Sequence, residues 1–100
     1  MTRRLIVRSE AEDDLTEAAV WYENRESGLG FDLMAEVNSA IQLAVERPLS
    51  YLRIRKEPEV RRVLVHRFPY RIFSITKSDA VVVFVILHAA RHDREWLKRL

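Results

Sequence analysis

Residues 80–87 read Ala-Val-Val-Val-Phe-Val-Ile-Leu, eight consecutive apolar side chains closed by His88, in a chain of 100 residues. Apolar residues at every position leave no wet face, so the segment forms a strand only where layers cover both its faces and other strands flank it. A sheet must therefore be built around it. The run falls far short of the roughly 20 apolar residues that cross a bilayer. Met1-Thr2-Arg3-Arg4 leads into a charged segment without the apolar core of a signal sequence. With no cysteine, disulfides, thiolate metal sites and a cysteine nucleophile are excluded, a composition that suits a reducing compartment. These features predict a cytoplasmic protein without membrane association. A chain of this size buries only roughly 60 to 65% of its unfolded surface, enough for one domain over residues 1–100 and for a shallow site.

The remaining segments supply the partners. Residues 3–8 read as a short strand. Ser9-Glu10-Ala11-Glu12 has the form of a capping box, which predicts a helix opened by Ser9. Ala11, Leu15, Ala18 and Tyr22, widened by Ala19 and Trp21, recur at helical spacing. Gly28 and Gly30, the two glycines of the chain, mark a break. A second helix is expected from about Phe31 to Glu46, stopped by Pro48, and the short linker makes the two helices an antiparallel hairpin. Pro48 to Glu59 reads as a loop carrying Arg53, Arg55 and Lys56. Strands are expected at Arg61 to His66, Tyr70 to Thr76 and Ala80 to His88, joined by turns too short for anything but antiparallel hairpins. Asp93 is placed to cap a last short helix, Arg94 to Leu100, that carries Trp96. The predicted class is α+β in the order β-α-α-β-β-β-α, a helical hairpin on a mainly antiparallel four-stranded sheet with a short C-terminal helix.

Charge divides the chain. Residues 1–50 hold 5 basic and 10 acidic side chains, a balance of −5, whereas residues 51–100 hold 12 and 5, a balance of +7. Of the 17 bases 14 are arginine, the side chain that grips carboxylate or phosphate with two parallel hydrogen bonds. An anionic partner for the second half follows. No metal or cofactor is called for: no histidines and acids fall at ligand spacing, and two glycines do not make a phosphate loop.

The element order, together with Phe68-Pro69-Tyr70-Arg71-Ile72-Phe73, the strand Val81 to His88, and then Arg91 and Trp96, resembles the RelE/ParE superfamily of type II toxin–antitoxin toxins over nearly the whole chain. That resemblance implies growth inhibition, plasmid stabilisation and one of two modes of action. The RelE-like branch is a ribosome-dependent endoribonuclease that cleaves messenger RNA. It uses basic residues on the open face of the sheet and often a tyrosine near the C-terminus. The ParE-like branch shares the fold but inhibits DNA gyrase and lacks the nuclease set.

Residue by residue, Arg71 matches the strand arginine of the nuclease branch, and Arg91 the arginine just after its last strand. Arg62 stands in for one strand lysine, but two residues on is Leu64, and Leu97 occupies the place of the tyrosine. The resemblance is therefore closer to ParE, a binding toxin without chemistry of its own. Arg71, Arg91, Trp96, Arg53 and Arg55 are the expected target contacts; Arg62, Arg71 and Arg91 would carry catalysis in a nuclease. For Trp96, packing that closes the C-terminal helix on the sheet is the plainer expectation. Either branch implies a cognate antitoxin that folds on the toxin and forms a hetero-oligomer with it. Leu33, Ala40 and Leu43, which broaden the apolar surface of the second helix, and Phe73 are its expected contacts.

Overall fold

The computed structural model describes residues 3–100, the side chain of Asp93 excepted. The chain runs β1 (Arg4–Val7), α1 (Ser9–Arg25), α2 (Leu29–Glu46), a 3₁₀ turn (Pro48–Ser50), β2 (Leu52–Arg55), β3 (Val60–Leu64), β4 (Tyr70–Thr76), β5 (Ala80–His88) and a C-terminal 3₁₀ helix (Asp93–Arg99). The strands make one five-stranded sheet in the order β1-β5-β4-β3-β2. β1 lies parallel to β5, and the other neighbours are antiparallel.

The apolar run behaves as its composition requires. β5 sits between β1 and β4, and Ala80 through Leu87 are all buried. On one face the two helices supply the cover, with Ala11, Leu33, Val37 and Ile41 packed on Val63, Ile72, Val83 and Ile86. On the other face a smaller core forms from Val60, Phe73, Ile75, Val82, Phe84, Val85 and Leu87, closed by Trp96. Trp96 stacks on Phe73 at 6.1 Å between ring centroids and meets Phe84 edge-on at 6.5 Å. The packing role expected of Trp96 is the one it has.

The sheet has five strands rather than four, because Leu52–Arg55 lies within the segment read as a loop and pairs with β3. Its apolar–basic alternation is only four residues long and lies between prolines, and a bulge between Arg53 and Arg55 interrupts the pairing. An edge strand of this kind has too little apolar content to announce itself. The helix starts also differ. Arg8, not Ser9, is the N-cap of α1, in extended conformation and with no side-chain cap. The Arg8 N–H is still bound to the Val83 carbonyl, so the strand ends directly against the helix and Ser9 is already helical. The Ser9 hydroxyl then donates to Glu10 at 3.3 Å instead of closing a capping box.

α2 begins two residues earlier than expected and takes in Gly30. Gly28 caps it at φ 90°, a left-handed conformation that costs a side-chain-bearing residue. At Gly30 a Cβ would stand 2.6 Å from the Ala19 carbonyl oxygen. The break between the helices is therefore a close crossing. The carboxylate of Glu23 completes it from α1, accepting the N–H groups of Gly28 at 2.8 Å and Gly30 at 3.0 Å. The last element is a 3₁₀ helix rather than an α-helix, and the imidazole Nδ1 of His92 caps it by accepting the Arg94 N–H at 3.1 Å. The capping role expected of Asp93 lies outside the described residues.

β1 pairs only with Ala80 to Val83, which leaves the second half of that edge of β5 without a strand partner. Side chains take its place. Asp14 accepts the Ile86 N–H at 3.0 Å and holds Arg99 through two bonds of 2.8 Å, while Arg99 donates to the Phe84 carbonyl at 3.3 Å. Arg8 donates to the Arg99 carbonyl at 3.2 Å. The bond to Asp14 raises the pKa of Arg99 further above its already high value. The C-terminal segment is thus fastened to α1, β1 and β5 together. No described helix is long and apolar enough to cross a membrane.

Candidate functional site

The sheet register brings three of the expected residues to one corner. Leu64 of β3 lies opposite Arg71 of β4, which lies opposite Leu87 of β5, and Arg62 lies opposite Phe73. All are on the face away from α1 and α2. Side chains two apart on a strand share a face, so Arg62 and Leu64 neighbour one another there. Arg71 reaches past the end of β5, where one guanidinium nitrogen donates to the carbonyls of His88, Ala89 and Arg91 at 3.3, 3.3 and 2.9 Å. Arg62 and Arg71 therefore share one hollow, and Arg71 is joined to the Arg91 turn through its backbone.

The turn at residues 88–91 carries Arg91. His88 orders it, since its ring Nδ1 accepts the Ala90 N–H at 2.9 Å and its carbonyl accepts the Arg91 N–H at 2.9 Å. A neutral ring bound in this way carries its proton on Nε2. Arg91 is 62% exposed and is steadied by Glu95 at 3.0 Å, one turn along. That bond holds the Glu95 carboxyl below its usual range.

Two depressions flank the turn. On the helix-free side a shallow hollow of about 350 Å³ is lined by Arg62, Leu64, Phe68, Tyr70 and Arg71. On the other side a cleft of about 460 Å³ opens between α1 and the end of β5, walled by Trp21, Tyr22, Tyr70, His88, Arg91 and Lys98. Here the rings form a ladder, Tyr22 edge-on to Tyr70 at 6.3 Å and Tyr70 edge-on to His88 at 5.1 Å. Burial, with Tyr22 and Glu17 adding, pushes the Tyr70 phenol above its ordinary value. At neutral pH it is a hydrogen-bonding group and not a phenolate base.

The other expected contacts lie elsewhere. Arg53 and Arg55 are exposed on the edge strand β2, with β3 and β4 between them and β5. At about 4.8 Å per strand they form a separate basic edge. Trp96 is buried against the sheet, so a target would meet it only after the C-terminal segment moved. Leu33 and Ala40 are buried under the helices, and Phe73 is buried beneath Trp96. These three belong to the two cores, contrary to their expected place on a partner-binding surface. Leu43 alone of that set is exposed, at 47%.

Leu64, 66% exposed, offers no proton or charge beside Arg62, and Leu97 has no hydroxyl. His66 stands in solvent 3.4 Å from Glu36, and His92 spends its Nδ1 on the helix cap. Among the described residues no three His, Asp or Glu side chains converge as metal ligands. The sequence alone did not single out Asp14 or the ladder of Tyr22, Tyr70 and His88. The position of Asp14 one turn before Ala18, on the flank of the buried stripe, was the available signal.

No protein-family model matches the sequence, and no curated protein matches it either. Among solved structures, a chain from the "Chromosomal ParDE TA system from P. aeruginosa" superposes with a TM-score of 0.76 at 15% identity, covering 87% of this chain and 96% of that one. The molecule is an α+β domain with the fold of that ParDE toxin–antitoxin chain.

Proposed function

We propose that the protein is the toxin of a type II toxin–antitoxin system, ParE-like in action, which arrests growth by binding DNA gyrase in the cytoplasm and is neutralised by a cognate antitoxin. The fold likeness supports the toxin reading. The observation that carries the choice of mode is the corner around Arg71. Its guanidinium is turned inward onto backbone carbonyls, Leu64 stands beside Arg62, and Leu97 offers no hydroxyl. Such a surface holds a partner and does not transfer protons. Arg91, with Arg53 and Arg55 on the basic edge, makes the contacts. Purified protein is expected to inhibit gyrase supercoiling, and induced expression to raise an SOS response; neither effect at saturating protein refutes the reading.

Arg62 and Arg71 in one hollow, with Arg91 on the adjoining turn, favour one alternative, a RelE-like endoribonuclease with preorganised charge for a scissile phosphate. Primer extension on messenger RNA after induction separates the two. Sharp cleavages inside translated frames establish the nuclease, and uncut messages with inhibited gyrase exclude it.

A further inference from the structure

We propose that Arg71 is a positioning residue: by gathering three backbone carbonyls it fixes the turn that presents Arg91, and Arg91 is the side chain that touches the partner. The inference rests on the reading above that this corner binds a target, and it assigns the two arginines different work. Three carbonyl oxygens, those of His88, Ala89 and Arg91, lie within 3.3 Å of the same Arg71 nitrogen. Carbonyl dipoles converging on one point repel each other unless a cation stands between them. Without that charge the turn would splay. The rest of the turn's hydrogen bonds among the described residues run through His88 and through the Ala89 N–H to the Pro69 carbonyl at 2.7 Å, and none of these binds the Arg91 carbonyl across the turn.

Position separates the two residues as well. Arg71 lies in mid-sheet with Leu64 and Leu87 as cross-strand neighbours, whereas Arg91 stands out from the turn and is held on its far side by Glu95. A partner's anion reaches Arg91 by replacing Glu95. Reaching Arg71 would instead require it to give up backbone bonds that order the site.

Chemistry supplies a discriminating substitution. An ammonium carries three donors on one point charge and can serve three converging carbonyls, but it cannot reproduce the planar fork with which arginine grips a phosphate or carboxylate. Arg71→Lys should therefore preserve function if Arg71 positions, and destroy it if Arg71 contacts the partner bidentately. Arg71→Met keeps the aliphatic stem over the sheet and removes the charge.

The test uses the full-length protein with Arg71→Met, Arg71→Lys, Arg91→Ala and the double variant Arg71→Met/Arg91→Ala. Amide hydrogen exchange at Ala90 and Arg91 reads the turn without reference to any target, and viable counts after induced expression read toxicity whatever the target is. In Arg71→Met, exchange at both amides is expected to rise at least about tenfold, the loss of one charge-assisted bond. It should change less than about threefold in Arg71→Lys and in Arg91→Ala, since both keep the clamp. Killing should fall about tenfold or more in Arg71→Met and in Arg91→Ala, and no further in the double variant, because the two share one route to the partner. Arg71→Lys should kill as the parent does. The proposal is overturned if Arg71→Met leaves exchange slow, if Arg71→Lys loses toxicity while its turn stays ordered, or if the two losses add. Should the variants follow the expected pattern while gyrase is untouched, the choice of gyrase falls and the division of labour between the arginines stands.

Discussion

The two faces of the sheet are covered in different ways. One carries α1 and α2, of 17 and 18 residues, whose buried residues spread over a broad core. The other is closed by a seven-residue 3₁₀ helix bearing a single large ring, Trp96, and held by the pair Asp14–Arg99. Many modest contacts tolerate the loss of one, whereas a cover resting on one ring and one ion pair does not. The face that bears Arg62, Arg71 and the turn of Arg91 is the thinly covered one, and regions that serve binding are drawn from the less stable end of a structure.

The largest expected effect follows from that contrast. Trp96→Ala removes a buried ring from between Phe73 and Phe84 and should cost about 3–5 kcal/mol, read as a lowered urea midpoint. Val37→Ala, on the thick side and equally deep, deletes two methyl groups and should cost about 2 kcal/mol. Equal losses would erase the distinction between the faces. Asp14→Ala comes next at about 2–3 kcal/mol, since it leaves the Ile86 N–H and the Arg99 guanidinium without their shared acceptor. Asp14→Asn retains an acceptor oxygen and should recover about half of that loss. If the two substitutions cost the same, the carboxylate's charge accounts for everything and its service to the strand edge for nothing.

What could be read from the sequence divides along the same line. The thick side was legible because its signals are periodic and long: Ala11, Leu15, Ala18 and Tyr22 on one helix, and Val37, Ile41 and Ala44 on the next, repeat over several turns. The uninterrupted apolar run likewise required cover on both faces. β2 escaped because four residues between prolines hold too little pattern. The start of α1 was misread because a capping box describes a free helix end, and Arg8 is pinned to Val83 by the sheet. At the candidate site, the residue types near Arg71 and Arg91 were visible, but their division of labour was not. It depends on where three carbonyls point, and backbone direction at a turn leaves no mark in side-chain identity. Leu33, Ala40 and Phe73 failed as surface residues for a related reason: an apolar residue wide of a helical stripe is a contact for whichever layer arrives, and here the sheet and Trp96 arrive first.

Within the thick side the helix crossing is the place to look for a weak point. Gly30→Ala forces a Cβ to 2.6 Å from the Ala19 carbonyl oxygen, and the helices must part to admit it, at about 1–3 kcal/mol. Gly28→Ala meets no atom within 4 Å and should cost only its left-handed backbone, about 1–2 kcal/mol. Thermal melts of the two variants rank backbone conformation against close packing at one turn. A larger loss for Gly28→Ala would mean that the crossing is loose.

The smallest expected effect sharpens the contrast by titration. Glu10, in the first turn of α1, has its pKa lowered chiefly by a backbone N–H; Glu95, on the C-terminal segment, has its pKa lowered chiefly by its bond to Arg91. Each carboxyl binds its proton less readily when folded than when unfolded. Each therefore contributes stability that is fully present above the unfolded value of about 4.5 and is lost as pH falls through the lower, folded one. The sign is shared, but the consequence is not. Protonated Glu10 leaves a helix that its core still holds, whereas protonated Glu95 frees Arg91 from its only described carboxylate, on a short segment whose cover rests on Trp96 and the Asp14–Arg99 pair. Below pH 4.5, amide chemical shifts of residues 89–97 should move further than those of residues 9–14, and Glu95→Gln at neutral pH should reproduce the first set of changes without the second. Movement of equal size in both sets, or a silent Glu95→Gln, would show that the thin cover is no weaker than the thick one.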